Sequence, residues 1–146
     1  MLKKEIEYTD DNGVSRKETF YFNLSEAELT ELQLTYPGGY GSYITKISEA
    51  KDQAEIVKLM KDLIRMSYGV KSEDGKRFMK SEEISQAFFE TEAYNKLFME
   101  LATDDMQAAN FVNGILPKAL MDKLKENEDD ELMERTKQLI ESKKNE

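Results

Sequence analysis

The stretch LKKEIEYTDDNGVSRKETFYF, residues 2–22, alternates in polarity before a turn that contains glycine and ends in the aromatic run Phe20–Phe22 after it. The even-numbered residues from Leu2 to Tyr8 fall on one face of an extended chain, and the odd-numbered charged residues fall on the other. This period of two is typical of a strand with one buried face. Residues 2–22 therefore predict a β-hairpin.

The same pattern selects the register of this hairpin. A two-residue turn at Asn12 and Gly13 would mix the apolar and polar faces of the two strands. A type I turn from Asp10, followed by Gly13 in the left-handed conformation as a bulge, sets Leu2 opposite Phe22 and keeps the even-numbered residues on one face. We therefore predict the bulged turn, which also sets Lys4 opposite Phe20.

A lone hairpin is only marginally stable in water, so this one is expected to lie on helices. Capping residues and apolar spacings of three and four predict helices from residue 25, at about 40–50, from residue 52, and at about 82–90, 92–102 and 104–113. Ser25 and Asp52 each begin a capping-box pattern. Gly69 is expected to end the central helix as a left-handed cap.

These elements predict an α+β fold that is mostly α, with the N-terminal β-hairpin packed on a multi-helix bundle. Residues 1–117 form the predicted hairpin and helical domain. Residues 118–146 have few apolar anchors among many charged side chains, so they predict a charged, partly ordered C-terminal helical arm. Pro117 suits the first turn of a further helix.

The composition excludes several kinds of chemistry. The chain has no Cys, His or Trp, which removes thiolate and imidazole catalysis and the usual zinc and iron sites. We expect no catalytic, cofactor or metal site and no enzymatic activity. The net charge of −9 argues against nucleic-acid binding, and no apolar run approaches the roughly 20 residues of a spanning helix. We therefore expect a cytoplasmic protein.

The loop SYGVKSEDGKRFMKSEE, residues 67–83, has a glycine among acidic residues but does not fit an EF-hand. If Gly75 takes the glycine position, Val70 and Ser81 fall where the two end ligands belong. The residues favour a tight turn at Glu73–Gly75. Its basic side chains are either solvated or a docking element for an acidic partner, such as an acidic surface of a neighbouring copy.

The segment AFFETEAYNKLFMELA, residues 87–102, permits two interpretations. At helical spacing its aromatic residues are typical of a core, whereas a groove rich in aromatic and Met residues could receive a partner helix. The candidate partner-binding residues from the loop and these helices are Lys71, Lys76, Arg77, Phe78, Met79, Phe88, Phe89, Phe98, Met106 and Phe111.

The sequence resembles the tail assembly chaperones of bacteriophages with long, non-contractile tails. The resemblance rests on TFYFNLSEAEL at 19–29, on the block from Ser67 to Asp104, and on AANFVNGILP at 108–117. It covers about residues 1–117, without a clear match for the acidic arm. It implies a protein of the host cytoplasm that holds the tape measure protein during tail tube assembly and is absent from the mature virion.

The resemblance also implies tail tube subunits and a frameshifted, longer form of the chain as partners, and it provides no catalytic residues. A homo-oligomer is compatible with it. The alternative from another class is a small acidic phage inhibitor that mimics DNA and acts on a host enzyme. Such a mimic would present rows of carboxylates, whereas 21 Lys and Arg residues are interleaved here.

Overall fold

The computed structural model describes residues 1–118, of which Met1–Leu116 form a compact unit. In chain order its elements are β1 (Leu2–Thr9), β2 (Ser15–Phe22), α1 (Glu26–Thr35), α2 (Gly39–Glu49), α3 (Gln53–Ser67), β3 (Tyr68–Lys71), β4 (Phe78–Met79), α4 (Glu82–Phe89), α5 (Glu92–Thr103) and α6 (Asp105–Gly114). The predicted α+β class with mostly helical structure is confirmed. The predicted arm, apart from Lys118, lies outside the described residues.

The hairpin of β1 and β2 has the predicted register. Leu2 pairs with Phe22 and Lys4 with Phe20, in eight consecutive pairs without an interruption. Gly13 has φ +78° and donates its N–H to the Asp10 carbonyl at 2.9 Å. The bulged type I turn therefore keeps Ile6 on the buried face, where it is 6% exposed.

The sheet contains two more strands than the sequence predicted. The strand order is β1-β2-β3-β4, all antiparallel, because the loop between α3 and α4 forms a second hairpin. The prediction that Gly69 caps α3 is wrong, since Gly69 lies in β3 and pairs with Tyr21. A Cβ at Gly69 would lie 2.6 Å from Cε1 of Phe78, so a close aromatic contact explains the glycine.

The helices begin where the capping residues predicted. Ser25 and Glu28 form the reciprocal capping box of α1. Asp52 accepts from the Ala54 N–H at the start of α3, but the predicted reciprocal bond from Glu55 is not part of this cap. The later helices α4, α5 and α6 are capped by Ser81, Thr91 and Asp104.

A tight turn connects α1 to α2. Gly38 has φ +83° and ψ 0°, and the Gly39 N–H donates to the Tyr36 carbonyl at 2.9 Å. These values fit the type II turn that Pro37 and Gly38 predict, because the third position of that turn requires a positive φ.

The core lies where the sheet meets α3, α4 and α6. Phe22 is fully buried, with its ring centroid 5.2 Å from Phe111 and 5.9 Å from Phe88. Tyr68 stacks on Phe88 at 4.2 Å and an interplanar angle of 17°. Leu63, at 0% exposure, continues the core along α3. This aromatic cluster joins the C-terminal end of β2 to the helices.

Buried polar groups are satisfied within the described unit. Buried Ser67 donates to the Leu63 carbonyl at 2.8 Å, and residues 1–118 contain no buried side-chain nitrogen or oxygen atom without a partner. Among these same residues, no helix is both long and apolar enough to cross a membrane.

Candidate functional site

The predicted basic loop forms the turn between β3 and β4. Gly75 has φ +73° and donates to the Ser72 carbonyl at 2.9 Å, while the Ser72 hydroxyl donates to Asp74 at 2.7 Å. The hydrogen bonds from the Ser72 hydroxyl and from the Lys76 N–H lower the pKa of the exposed Asp74 carboxyl. The Glu73–Gly75 turn predicted from the sequence is therefore present and is exposed.

The four basic side chains of this loop differ in their exposure to solvent. Lys71, Lys76 and Arg77 are exposed, and the ammonium of Lys71 lies 4.1 Å from the centre of the Tyr21 ring. Lys80, the fourth basic residue of the loop, points inward instead. Only the first three are thus available on the surface of this loop.

Lys80 connects three elements through its ammonium group. Its Nζ donates to the Asn23 carbonyl at 2.6 Å, to the Met66 carbonyl at 2.8 Å and to Glu28 Oε2 at 2.7 Å. The side chain is 20% exposed. Lys80 therefore fastens the end of β2, the last turn of α3 and the capping box of α1 together.

The candidate residues of β4 are partly covered. Phe78 and Met79 are both half-buried, and the Phe78 ring packs against the backbone of Gly69. Their contact with the sheet limits the area that they present to a partner.

The structure corrects the placement of two candidate residues. Phe88 is 3% exposed and Phe111 is 1% exposed, and both pack around Phe22. They belong to the core rather than to a surface that a partner can reach. The core interpretation of segment 87–102 therefore applies to Phe88, whereas its neighbour Phe89 has a different environment.

A partly exposed aromatic surface lies on α4 and α5. Phe89, Tyr94 and Phe98 are all half-buried, and they follow one another at ring-centroid distances of 4.7 Å and 6.0 Å. From α3, Lys61 Nζ lies 5.2 Å and Arg65 Cζ 4.9 Å from the centre of the Phe89 ring. We call these five residues the aromatic surface.

The two cations of the aromatic surface have no carboxylate partner among residues 1–118, where the ion pairs involve other basic residues. A cation over a ring contributes about 0.5–1 kcal/mol at an exposed site. Lys61 and Arg65 are four residues apart, so they share one face of α3. That spacing could have been recognised in the sequence, but it does not show which ring lies beneath the cations.

Helices α5 and α6 each carry an exposed methionine. Met99 is 57% exposed and Met106 is 75% exposed. The Met106 side chain is therefore accessible to a partner, as a partner-binding residue must be. Met side chains are flexible and polarizable, so they adapt to partners of different shape.

No arrangement of titratable groups resembles a reaction centre within the described part of the chain. Burial raises the pKa values of Tyr40 and Tyr43, which donate their hydroxyls to the Val112 and Leu59 carbonyls at 2.7 and 2.8 Å. Residues 1–118 bring together no cluster of three acidic side chains able to hold a metal ion. A shallow groove of about 420 Å³ beside the first hairpin is lined mainly by charged side chains.

Together these features define an acidic α+β protein that presents apolar, aromatic and cationic side chains on its helical side. The family model of the phage tail assembly chaperones matches residues 1–146, and the chain belongs to this family. The match also covers the acidic segment after Pro117, which the resemblance in the sequence did not clearly include. Comparisons with curated proteins and with solved structures gave no match.

Proposed function

We propose that this chaperone binds the tape measure protein and keeps it soluble in the host cytoplasm while tail tube subunits assemble around it. The protein acts without catalysis and leaves before the virion is complete. The family match supports the assembly role, and the sequence resemblance supplies the identity of the client. A DNA-mimicking inhibitor has no comparable support.

The observations that carry the proposal are the aromatic surface and the exposed methionines of α5 and α6. A long helical client presents apolar side chains that would otherwise associate with one another, and a holding chaperone must cover them. Met99 and Met106 are exposed in a chain whose net charge of −9 maintains solubility. The high net charge therefore keeps the protein soluble although it exposes apolar side chains, which would promote aggregation of a neutral protein.

The two cations of the aromatic surface favour a client that carries carboxylates. Lys61 and Arg65 lie beside Phe89 without a carboxylate partner in the described unit. An amphipathic client helix with carboxylates beside its apolar face can place apolar side chains on Phe98 and carboxylates near the cations. Exposed Lys71, Lys76 and Arg77 provide a second basic area for an acidic partner.

Co-expression with the tape measure protein, followed by size-exclusion chromatography, tests the function and the surface separately. We expect the client to be soluble and to elute with the wild-type chain. The double substitution Lys61→Glu and Arg65→Glu should release the client. The matched control, Lys46→Glu with Lys51→Glu, reverses two exposed charges elsewhere and should retain it.

Two outcomes would contradict these statements. If the client is equally soluble without this protein, the holding function is wrong. If both double variants retain the client equally, the function stands but the aromatic surface is not where the client binds.

A further inference from the structure

The first strand of the sheet has a long free edge. No strand among residues 1–118 pairs with the outer side of β1, which runs for eight residues. The opposite edge is β4, which has only two residues, Phe78–Met79. Very short edge strands and interrupted edges discourage pairing with another chain, whereas a long regular edge is a template for it.

The edge of β1 is charged, but it lacks a bulge, a proline and a short length, which are other features that protect edge strands. Its register with β2 is continuous over eight pairs, without a bulge, and the strand contains no proline. Its outward side chains, Lys3, Glu5 and Glu7, are exposed. Lys3 is positive and Glu5 and Glu7 are negative, so the exposed face of β1 carries both signs of charge and does not simply repel a second strand.

The turn of the hairpin shows which backbone groups are free. The Asp10 N–H donates to the Val14 carbonyl at 2.9 Å, and hydrogen-bonded pairs alternate with non-bonded pairs along an antiparallel ladder. Even-numbered residues of β1 therefore hydrogen bond to β2. The N–H and C=O groups of Lys3, Glu5 and Glu7 point to the free edge, where another strand can reach them.

We propose that β1 pairs with β1 of a second copy of this chain, antiparallel and about a two-fold axis near Lys4 and Glu5. The resulting sheet would run through both copies. This self-association is independent of the client-binding function proposed above, and it differs from the basic-loop contact between copies that the sequence suggested.

Charge complementarity is what identifies the occupant as a second copy. In the register centred on Lys4, Lys3 of each copy faces Glu5 of the other. In the register centred on Glu5, Lys3 of each copy faces Glu7 of the other. Each register gives two opposite-charge pairs, which stabilise an antiparallel sheet, against one like-charge pair on the axis, Lys4 with Lys4 or Glu5 with Glu5.

The interface leaves the existing packing of β1 in place. Lys4 lies on the opposite face of the strand, where its Nζ bonds to Glu100 of α5 at 2.9 Å. Ile6 on that face is already buried. Pairing at the edge uses backbone groups and the exposed face, so neither contact must break.

Sedimentation velocity of the full chain over a concentration series tests the proposal. We expect the wild type to reach twice the 16.9 kDa mass of the chain as the concentration rises. Lys3→Glu turns both cross-strand attractions into repulsions and should weaken the dimer by roughly tenfold or more. The control Lys46→Glu should not alter the dimer.

Two further variants separate edge pairing from a general charge effect. Glu5→Pro removes an N–H that points to the free edge and should give a folded monomer, as judged by circular dichroism. A charge swap that combines Lys3→Glu with Glu5→Lys, or with Glu7→Lys, should restore the dimer in the register that forms.

A wild-type chain that stays monomeric at every concentration would overturn the proposal. So would a dimer that persists unchanged in both Lys3→Glu and Glu5→Pro. If Glu5→Pro unfolds the chain, the Lys3→Glu variant and its charge swaps decide the question alone.

Discussion

Replacing Lys80 with methionine removes the ammonium group that holds β2, α3 and α1 together. Methionine keeps most of the aliphatic side chain, so the packing of the stem is largely preserved while the three polar contacts are lost. The carbonyls of Asn23 and Met66 then lose a donor at 2.6 and 2.8 Å. Met66 is in the last turn of α3, where carbonyls have no partner within the helix.

The expected cost follows from these contacts. A buried acceptor left without a hydrogen bond costs about 1–3 kcal/mol, and two acceptors are affected. The ion pair with Glu28 adds little, about 0–1 kcal/mol, because its side chains are 20% and 37% exposed. These terms add to about 2–7 kcal/mol; since water can reach part of the site, we expect a loss in the lower part of that range, about 3 kcal/mol.

Urea unfolding followed by circular dichroism measures this loss. With a slope of about 2 kcal/mol per M, the midpoint should fall by about 1.5 M. Lys76→Met is the matched control, since the Lys76 side chain is exposed, and it should change stability by less than about 0.5 kcal/mol. Equal midpoints for the two variants would refute the structural role of Lys80.

Other substitutions test the remaining packing and electrostatics. Gly69→Ala should lower the free energy of unfolding by about 1–3 kcal/mol in urea, because its Cβ meets the Phe78 ring. Gly41→Ala, in the first turn of α2 where nothing lies within 4 Å of the added Cβ, should be neutral or stabilising in the same measurement. Phe111→Ala should cost about 3–5 kcal/mol in urea; a smaller loss than that of Gly69→Ala would contradict its place in the core. The guanidinium beside Asp10 lowers the pKa of that carboxyl, so its stabilisation should be present above the unfolded pKa of about 3.9 and be lost as the pH falls through the lower folded value. The stability difference between wild type and Asp10→Asn should therefore shrink as the pH falls below about 3.9, and a difference that stays constant throughout this titration would contradict it.

The first hairpin and the helix starts could be predicted because local chemistry determines them. Apolar residues at every second position, with a glycine where the turn needs a positive φ, leave one register that buries Ile6. Hydroxyl and carboxylate caps such as Ser25 and Asp104 satisfy N–H groups only a few residues away. Neither feature depends on distant parts of the chain.

The second hairpin could not be predicted in the same way. Its strands have four and two residues, too few for a periodic pattern. Gly69 has the local appearance of a helix cap, and the contact that requires a glycine comes from Phe78, nine residues later. Pairing of β3 with β2 depends on Tyr21, which is distant in sequence.

The candidate surface was predicted only in part for a related reason. Phe88 and Phe89 are adjacent, and helical spacing favours Phe88 for the core, but the sequence left both as candidates for a partner-binding groove. Lys80 belongs to a run of basic residues that is typical of a solvated loop, yet its partners Asn23 and Met66 lie far away along the chain. The burial of these side chains is set by tertiary contacts.

Hydrogen exchange of the full chain, measured alone and in complex with the co-expressed tape measure protein, tests the central claim most directly. If the protein holds its client on the aromatic surface, amides of α4 and α5 should gain protection from Phe89 to Phe98 on binding. The same measurement with the Lys61→Glu and Arg65→Glu variant should show no such gain. Protection that is unchanged along α4 and α5 in a stable complex would contradict the claim.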